Sequence, residues 1–156
     1  MRDILGISLG TRLVGLAVVR KSELIDFRVR KFYDTWSIEK RIEIIDAIER
    51  TVKKHGIKKI VVKTPKPHHC SQNISDLTND IIVLGQRHNI RVMICTIATI
   101  LRKDKENTLK NKQSLIKWII CKHPDHKQLA RLYAKEQQNN APYYIKLFEA
   151  IACTEL

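Results

Sequence analysis

Ile4-Leu5-Gly6-Ile7-Ser8-Leu9-Gly10-Thr11-Arg12-Leu13-Val14-Gly15-Leu16-Ala17-Val18-Val19-Arg20 is the stretch on which the reading of this chain turns. Two short apolar runs flank a Gly-Thr-Arg turn: Ile4, Leu5 and Ile7 precede it, and Leu13, Val14, Leu16, Ala17, Val18 and Val19 follow. Apolar runs of this length bounded by turn residues form strand pairs, and Gly10 is expected to take a positive φ at the turn.

Outward from this pair, strand-like and helix-like runs alternate. Glu23–Tyr33 has a period of two in Ile25, Phe27 and Val29, which predicts a third strand before Asp34. Ser37 offers an N-cap, and Ile38, Ile42, Ile45, Ile48 and Val52 form the expected apolar face of a helix closing near His55-Gly56. Lys58–Lys63 reads as a fourth strand, broken by Pro65 and Pro67. Ile74, Leu77, Ile81 and Leu84 mark a second helix, and Arg91–Ile97 a fifth strand. Three helices should follow: Leu109 to Cys121, His126 to Gln138, and a last one starting near Pro142. The order β-β-β-α-β-α-β with a helical C-terminal part predicts an α/β fold, a five-stranded mixed sheet flanked by helices, as a single domain over residues 1–156.

The first strand pair closely resembles the opening of the RuvC-type Holliday junction resolvases, whose corresponding run is I-D-P-G-T-R-x-x-G-x-A-V. That resemblance implies a ribonuclease-H-like fold. It also implies acids on the first strand, at the end of the fourth strand and in a D-x-x-D-A-L-A-like run of the last helix, converging on two divalent cations, Mg or Mn. The equivalent places here are Ser8, Lys63, and the run Lys146-Leu147-Phe148-Glu149-Ala150-Ile151-Ala152, which sets Lys146 at the first acid and Glu149 at the second. Glu149 is thus the one retained acid. Two replacements reverse the charge, and an ammonium about 4 Å from a divalent ion costs on the order of several kcal/mol at an effective dielectric near 20.

The expectation is therefore a nucleic-acid-binding, RuvC-like protein without metal-dependent cleavage and without a cofactor, in which Glu149 pairs with Lys63 or Lys146. Lys63 and Lys146 would hold a backbone phosphate where cations once sat, a role suited to compact point charges. Thr11 and Arg12 match the family turn and are expected at the nucleic acid, with Ser71-Gln72-Asn73 as lesser candidates. Asn111-Lys112-Gln113, with Leu115 as apolar anchor, is similar to the family's K-x-x-V stretch at the start of a helix, which implies a backbone contact for Lys112. The family's glycine-containing basic loop has no counterpart between Arg102 and Lys112, where there is no glycine. The competing expectation is an active, Mg- or Mn-dependent structure-selective endonuclease that joins Glu149 to Asp3, Asp76 or Asp80. A third is a protein-binding scaffold that kept only the fold. The resemblance also implies a homodimer.

Composition agrees with an anionic partner such as nucleic acid, and the resemblance implies DNA rather than RNA. The formal net charge is +13, from 29 basic and 16 acidic residues. Between Arg102 and Asn140 ten basic residues meet four acids, which makes this segment the expected binding face. No apolar run is long enough for a membrane helix, and the start lacks the pattern of a signal peptide, so a cytoplasmic protein is expected. Cys70, Cys95, Cys121 and Cys153 are scattered and are expected to be free thiols. His68-His69-Cys70 with Cys121, His123 and His126 offers zinc donors, but in no common zinc spacing, and helix-end histidines explain them as well. Phe27, Phe32, Tyr33 and Trp36 interleave with Arg28, Arg30 and Lys31, a pattern that suits base stacking but is equally met by half-buried strand residues.

Overall fold

The computed structural model describes residues 3–104, 109–138 and 143–156. Its five strands are β1 (Ile4–Ser8), β2 (Leu13–Arg20), β3 (Glu23–Lys31), β4 (Lys59–Lys63) and β5 (Arg91–Cys95). They form one mixed sheet in the order β3-β2-β1-β4-β5. β1 runs antiparallel to β2 and parallel to β4, and β4 runs parallel to β5. The two antiparallel joints are short, and the β2–β3 turn places Lys21 and Ser22 at positive φ, as a tight hairpin demands. Gly10 does not take the positive φ expected of it; among glycines only Gly56 does.

α1 (Ile38–His55) and α2 (Gln72–Arg87) cover one face of the sheet. There Leu5, Ile7, Leu16, Ile60 and Val62 pack against Ile44, Ile48, Val52, Leu77 and Ile81. Ser37 caps α1 by accepting from the Lys40 N–H, and Gly56 closes it in the left-handed conformation, both as the residue types dictate. The buried face of α1 differs from the expected one. Ile38 and Ile42 lie outward, 71% and 54% exposed, while Ile44 and Ala47 turn inward beside Ile48 and Val52. Isoleucine spacing alone is compatible with either stripe, and the sheet selects the one that carries Ile44.

The opposite face carries α3 (Ile97–Leu101), α4 (Lys112–Lys122), α5 (Lys127–Gln138) and α6 (Ile145–Cys153), packed on Ala17, Val19, Val61 and Cys95. The strand expected to reach Ile97 stops at Cys95, because Thr96 caps α3 through reciprocal bonds with Thr99. α4 likewise starts at Lys112 rather than Leu109, since Asn111 and Ser114 form a capping box. The expected start of the last helix at Pro142, the end of the polar run at Asn139 and Asn140, and Lys105 and Glu106 of the basic segment lie outside the described residues. No helix among the described residues is long and apolar enough to cross a membrane.

α6 lies unusually deep. A Cβ on Gly6 would sit 1.9 Å from the Ala150 carbonyl oxygen, and one on Gly15 would sit 2.0 Å from that of Lys146. Both are helix backbone, so no side-chain adjustment relieves the clash. Gly6→Ala and Gly15→Ala should each lower the stability measured by urea denaturation by about 3 kcal/mol, the upper range for overpacking a well-filled core.

Candidate nucleic-acid site

Strand pairing aligns Gly15, Ser8, Lys63 and Cys95 as one row across β2, β1, β4 and β5, at the C-terminal ends of the three parallel strands. Alternation of side chains turns this row toward α6. The glycine contacts bring α6 down onto the row, with Lys146 over Gly15 and Glu149 over Ser8 and Lys63.

Glu149 is 1% exposed, yet it is ionically engaged. The Lys63 ammonium stands 2.5 Å from Oε2, off the line of a good hydrogen bond, so the contact is a charge pair. Ser8 Oγ donates to Oε1 across 3.5 Å, a long bond. Of the two lysines that could have paired with Glu149, Lys63 does so. Lys146 instead points its ammonium at the Leu9 carbonyl oxygen, 3.4 Å away, over the space a Cβ on Gly10 would fill. Burial holds the Lys146 amine below the usual lysine range, and the charges of Lys63 and Lys112 push the same way against the smaller opposing pull of Glu149. The Cys95 thiol is shifted down, first by a hydrogen bond with Cys153 and also by the Lys63 ammonium. Cys153 is pushed well up by the same thiol contact and by burial. All four cysteines are free, as expected.

Thr11 and Arg12 lie between β1 and β2, in the turn that follows Gly10; Arg12 is exposed and makes no ion pair among the described residues. Lys112 opens α4 and is exposed. The sequence-expected positions Ser8, Lys63, Lys146, Glu149, Thr11, Arg12 and Lys112 thus gather at one end of the sheet. Ser71 and Gln72 are otherwise used: the Ser71 hydroxyl caps α2 and the Gln72 amide donates to Asp76.

These groups do not fit the pair of divalent cations that the resemblance implies. Such ions take several oxygen ligands. Among the described residues a single carboxylate is present here, already neutralised by Lys63, with Lys146 and Lys112 adding positive charge. The other acids considered for an active nuclease do not converge on Glu149. Asp3 is bonded to Arg20 at the far end of β1, and Asp76 and Asp80 are held by Arg41 between α1 and α2. The zinc donors are also separated. His68, His69 and Cys70 follow β4, whereas His123 sits beside Ile4 and Lys59 at the opposite end of the sheet. No group of three or more metal-binding side chains occurs among the described residues. Of the aromatics, Phe32 is buried and Trp36 packs on the core, while Tyr33 stands outward with Lys31 4.8 Å from its ring centre.

Sequence reasoning singled out neither Cys95 nor the two glycines beneath α6. The glycines left a signal, since Gly6 and Gly15 interrupt otherwise apolar strands, which marks close approach of another backbone.

The chain has an α/β fold of the ribonuclease-H-like kind, with the three-stranded antiparallel part followed by parallel strands. Within that class it has the architecture of RuvC. It superposes on RuvC of Thermus thermophilus in complex with a Holliday junction substrate with a TM-score of 0.73, covering 98% of this chain and 90% of that one at 12% identity. A second Thermus thermophilus RuvC structure gives 0.60 over 97% and 90% at 14% identity. The Fowlpox virus resolvase, in complex with substrate Holliday junction DNA, gives 0.58 over 98% and 91% at 14% identity. No family model and no curated protein matches the sequence.

Removing one partner of a buried ion pair strands the other charge. Lys63→Met should therefore cost about 3–5 kcal/mol in urea denaturation, and Lys63→Met combined with Glu149→Leu should recover most of that loss.

Proposed function

We propose that this protein binds DNA in preference to RNA, in the cytoplasm, through Lys112 and Lys146 together with Thr11 and Arg12, Lys63 being spent on Glu149, and that it does not cleave what it binds. The observation that carries this reading is the Lys63–Glu149 pair: the sole carboxylate of the cluster among the described residues is spent on an ammonium 2.5 Å away. What remains is cationic. Lys146 and Lys112 have no acid partner among the described residues, and a phosphate oxygen would supply the counter-charge that each lacks. Uncompensated positive charge at the ends of parallel strands, in a chain of net charge +13, favours a polyanion over a neutral ligand.

The test is a titration of labelled four-way junction, DNA duplex and RNA at two salt concentrations, with Mn²⁺ in half the samples and the products resolved on a denaturing gel. Salt-sensitive binding without products is the expected result, and Lys146→Glu should weaken it. Mn²⁺-dependent products lost in Glu149→Gln would overturn the reading in favour of an endonuclease. The same titration has a definite pH dependence. A bound phosphate requires the Lys146 ammonium, whose proton is released below the ordinary lysine value of 10.5. Affinity should fall as pH rises toward that lowered value, and Lys146→Met should flatten the fall.

We also propose a homodimer, with α1 as the contact. Its exposed Ile38 and Ile42 lie beside Glu39, Glu43 and Asp46 in the first half and Arg50, Lys53 and Lys54 in the second, so two antiparallel copies would match opposite charges. Sedimentation equilibrium should show a dimer that Ile38→Asp with Ile42→Asp reduces to monomer; a monomeric parent protein would sink this assignment.

A further inference from the structure

α5 is amphipathic in an uncommon way. Its inward face holds Leu129 in the core, and its only acid, Glu136, turns toward α6. The Glu136 carboxylate accepts from the N–H groups of Tyr143 at 2.8 Å, Tyr144 at 2.9 Å and Ile145 at 3.2 Å, and so caps the start of α6. The one carboxylate of α5 is thereby engaged at the start of α6, and no acid stands three or four residues from Lys127, Arg131 or Lys135 within the helix.

The outward face keeps Lys127, Arg131 and Lys135, four residues apart on one stripe, all exposed and without an ion pair among the described residues. Ala130 and Ala134 lie exposed alongside them, so nothing bulky stands between this stripe and an approaching surface. Successive cations rise about 6 Å along the helix, and the stripe covers about 12 Å. Its Lys135 end meets the start of α6, where Lys146 follows directly after the residues that Glu136 caps. At the other end His126 meets Phe27 of β3 edge-to-face, at 5.5 Å between ring centres, which holds the start of the helix against the sheet.

We infer that α5 is a backbone-tracking helix, laying Lys127, Arg131 and Lys135 along the phosphates of a DNA duplex that continues away from Lys146. This deepens the proposed function and rests on it, adding a second contact surface and committing the ligand to a duplex arm rather than an isolated phosphate. Three cations on a stripe with small neighbours position the nucleic acid without reading its sequence, since base-edge contacts need side chains that reach into a groove.

The experiment is fluorescence anisotropy on a labelled DNA duplex over a range of salt concentrations, comparing the parent protein with two triple variants of equal net charge. One is Lys127→Gln, Arg131→Gln, Lys135→Gln. The other is Lys21→Gln, Lys58→Gln, Arg91→Gln, which removes exposed charge at the opposite end of the sheet. Each lost phosphate contact lowers the slope of log affinity against log salt by about 0.9, so the α5 variant should lose roughly 2.7 while the distant variant keeps the parent slope. Circular dichroism of both variants confirms that the helix content is unchanged; glutamine at exposed helix positions preserves it. Equal slopes in the two triple variants would overturn the α5 assignment and leave the proposed function standing. A parent protein that shows no salt-sensitive binding would overturn both.

Discussion

The depth at which α6 meets the sheet governs the rest of this molecule. Two side chains are missing where the helix backbone crosses β1 and β2, and any Cβ at Gly6 or Gly15 would fall about 2 Å from a helix carbonyl oxygen. Because those carbonyls belong to Ala150 and Lys146, the same contacts set the height of Glu149 and Lys146 over the strand ends. A helix held one side-chain layer further out would leave Glu149 short of Lys63, and a carboxylate with 1% exposure would have no counter-charge.

Electrostatics follows from that geometry. Among the described residues the site contains one negative group and several positive ones, and the negative group is consumed internally. A lysine at the end of β4 is a tethered cation, and it neutralises the acid that α6 sets over it. Lys63 and Ser8 both reach Glu149, which leaves Lys146 without the carboxylate, and Lys146 accordingly keeps its amine partly desolvated against a backbone oxygen. Glu136 repeats the theme on α5, where the helix's one acid caps α6 and the exposed charges of its own helix are all basic. Both arrangements direct positive charge toward the same end of the domain, and both come from acids with structural duties.

Much of this was legible from residues alone. The first strand pair, the third strand, the Ser37 cap, the left-handed close at Gly56 and the apolar face of α2 come from local rules, in which a residue type answers to its own neighbours. So does the placing of Ser8 and Lys63 at strand ends and of Lys146 and Glu149 on the last helix, where the register sets Ser8 beside Lys63 and Glu149 reaches both. The misreadings share a cause. Isoleucine periodicity admits two faces for α1, so Ile38 and Ile42 read as one stripe with Ile48 and Val52 although the first two lie outward, and Gly10 can take a positive φ but does not, its Cβ position being blocked by the Leu13 carbonyl oxygen at 2.6 Å. Asp3, Asp76 and Asp80 were kept as possible ligands because sequence distance says nothing of the arginines that hold them.

The sequence by itself determined the elements and the sign of the charge: hydrophobic period, caps and turn residues act within a few positions, and a lysine is cationic wherever it lies. Tertiary structure alone decided which lysine neutralises Glu149, which face of α1 is left to solvent and which acids are withdrawn from the basic surface. Those choices depend on separations of a few ångströms between residues as far apart as Gly6 and Ala150, and charge and packing energies change steeply over that range while the sequence carries no measure of it.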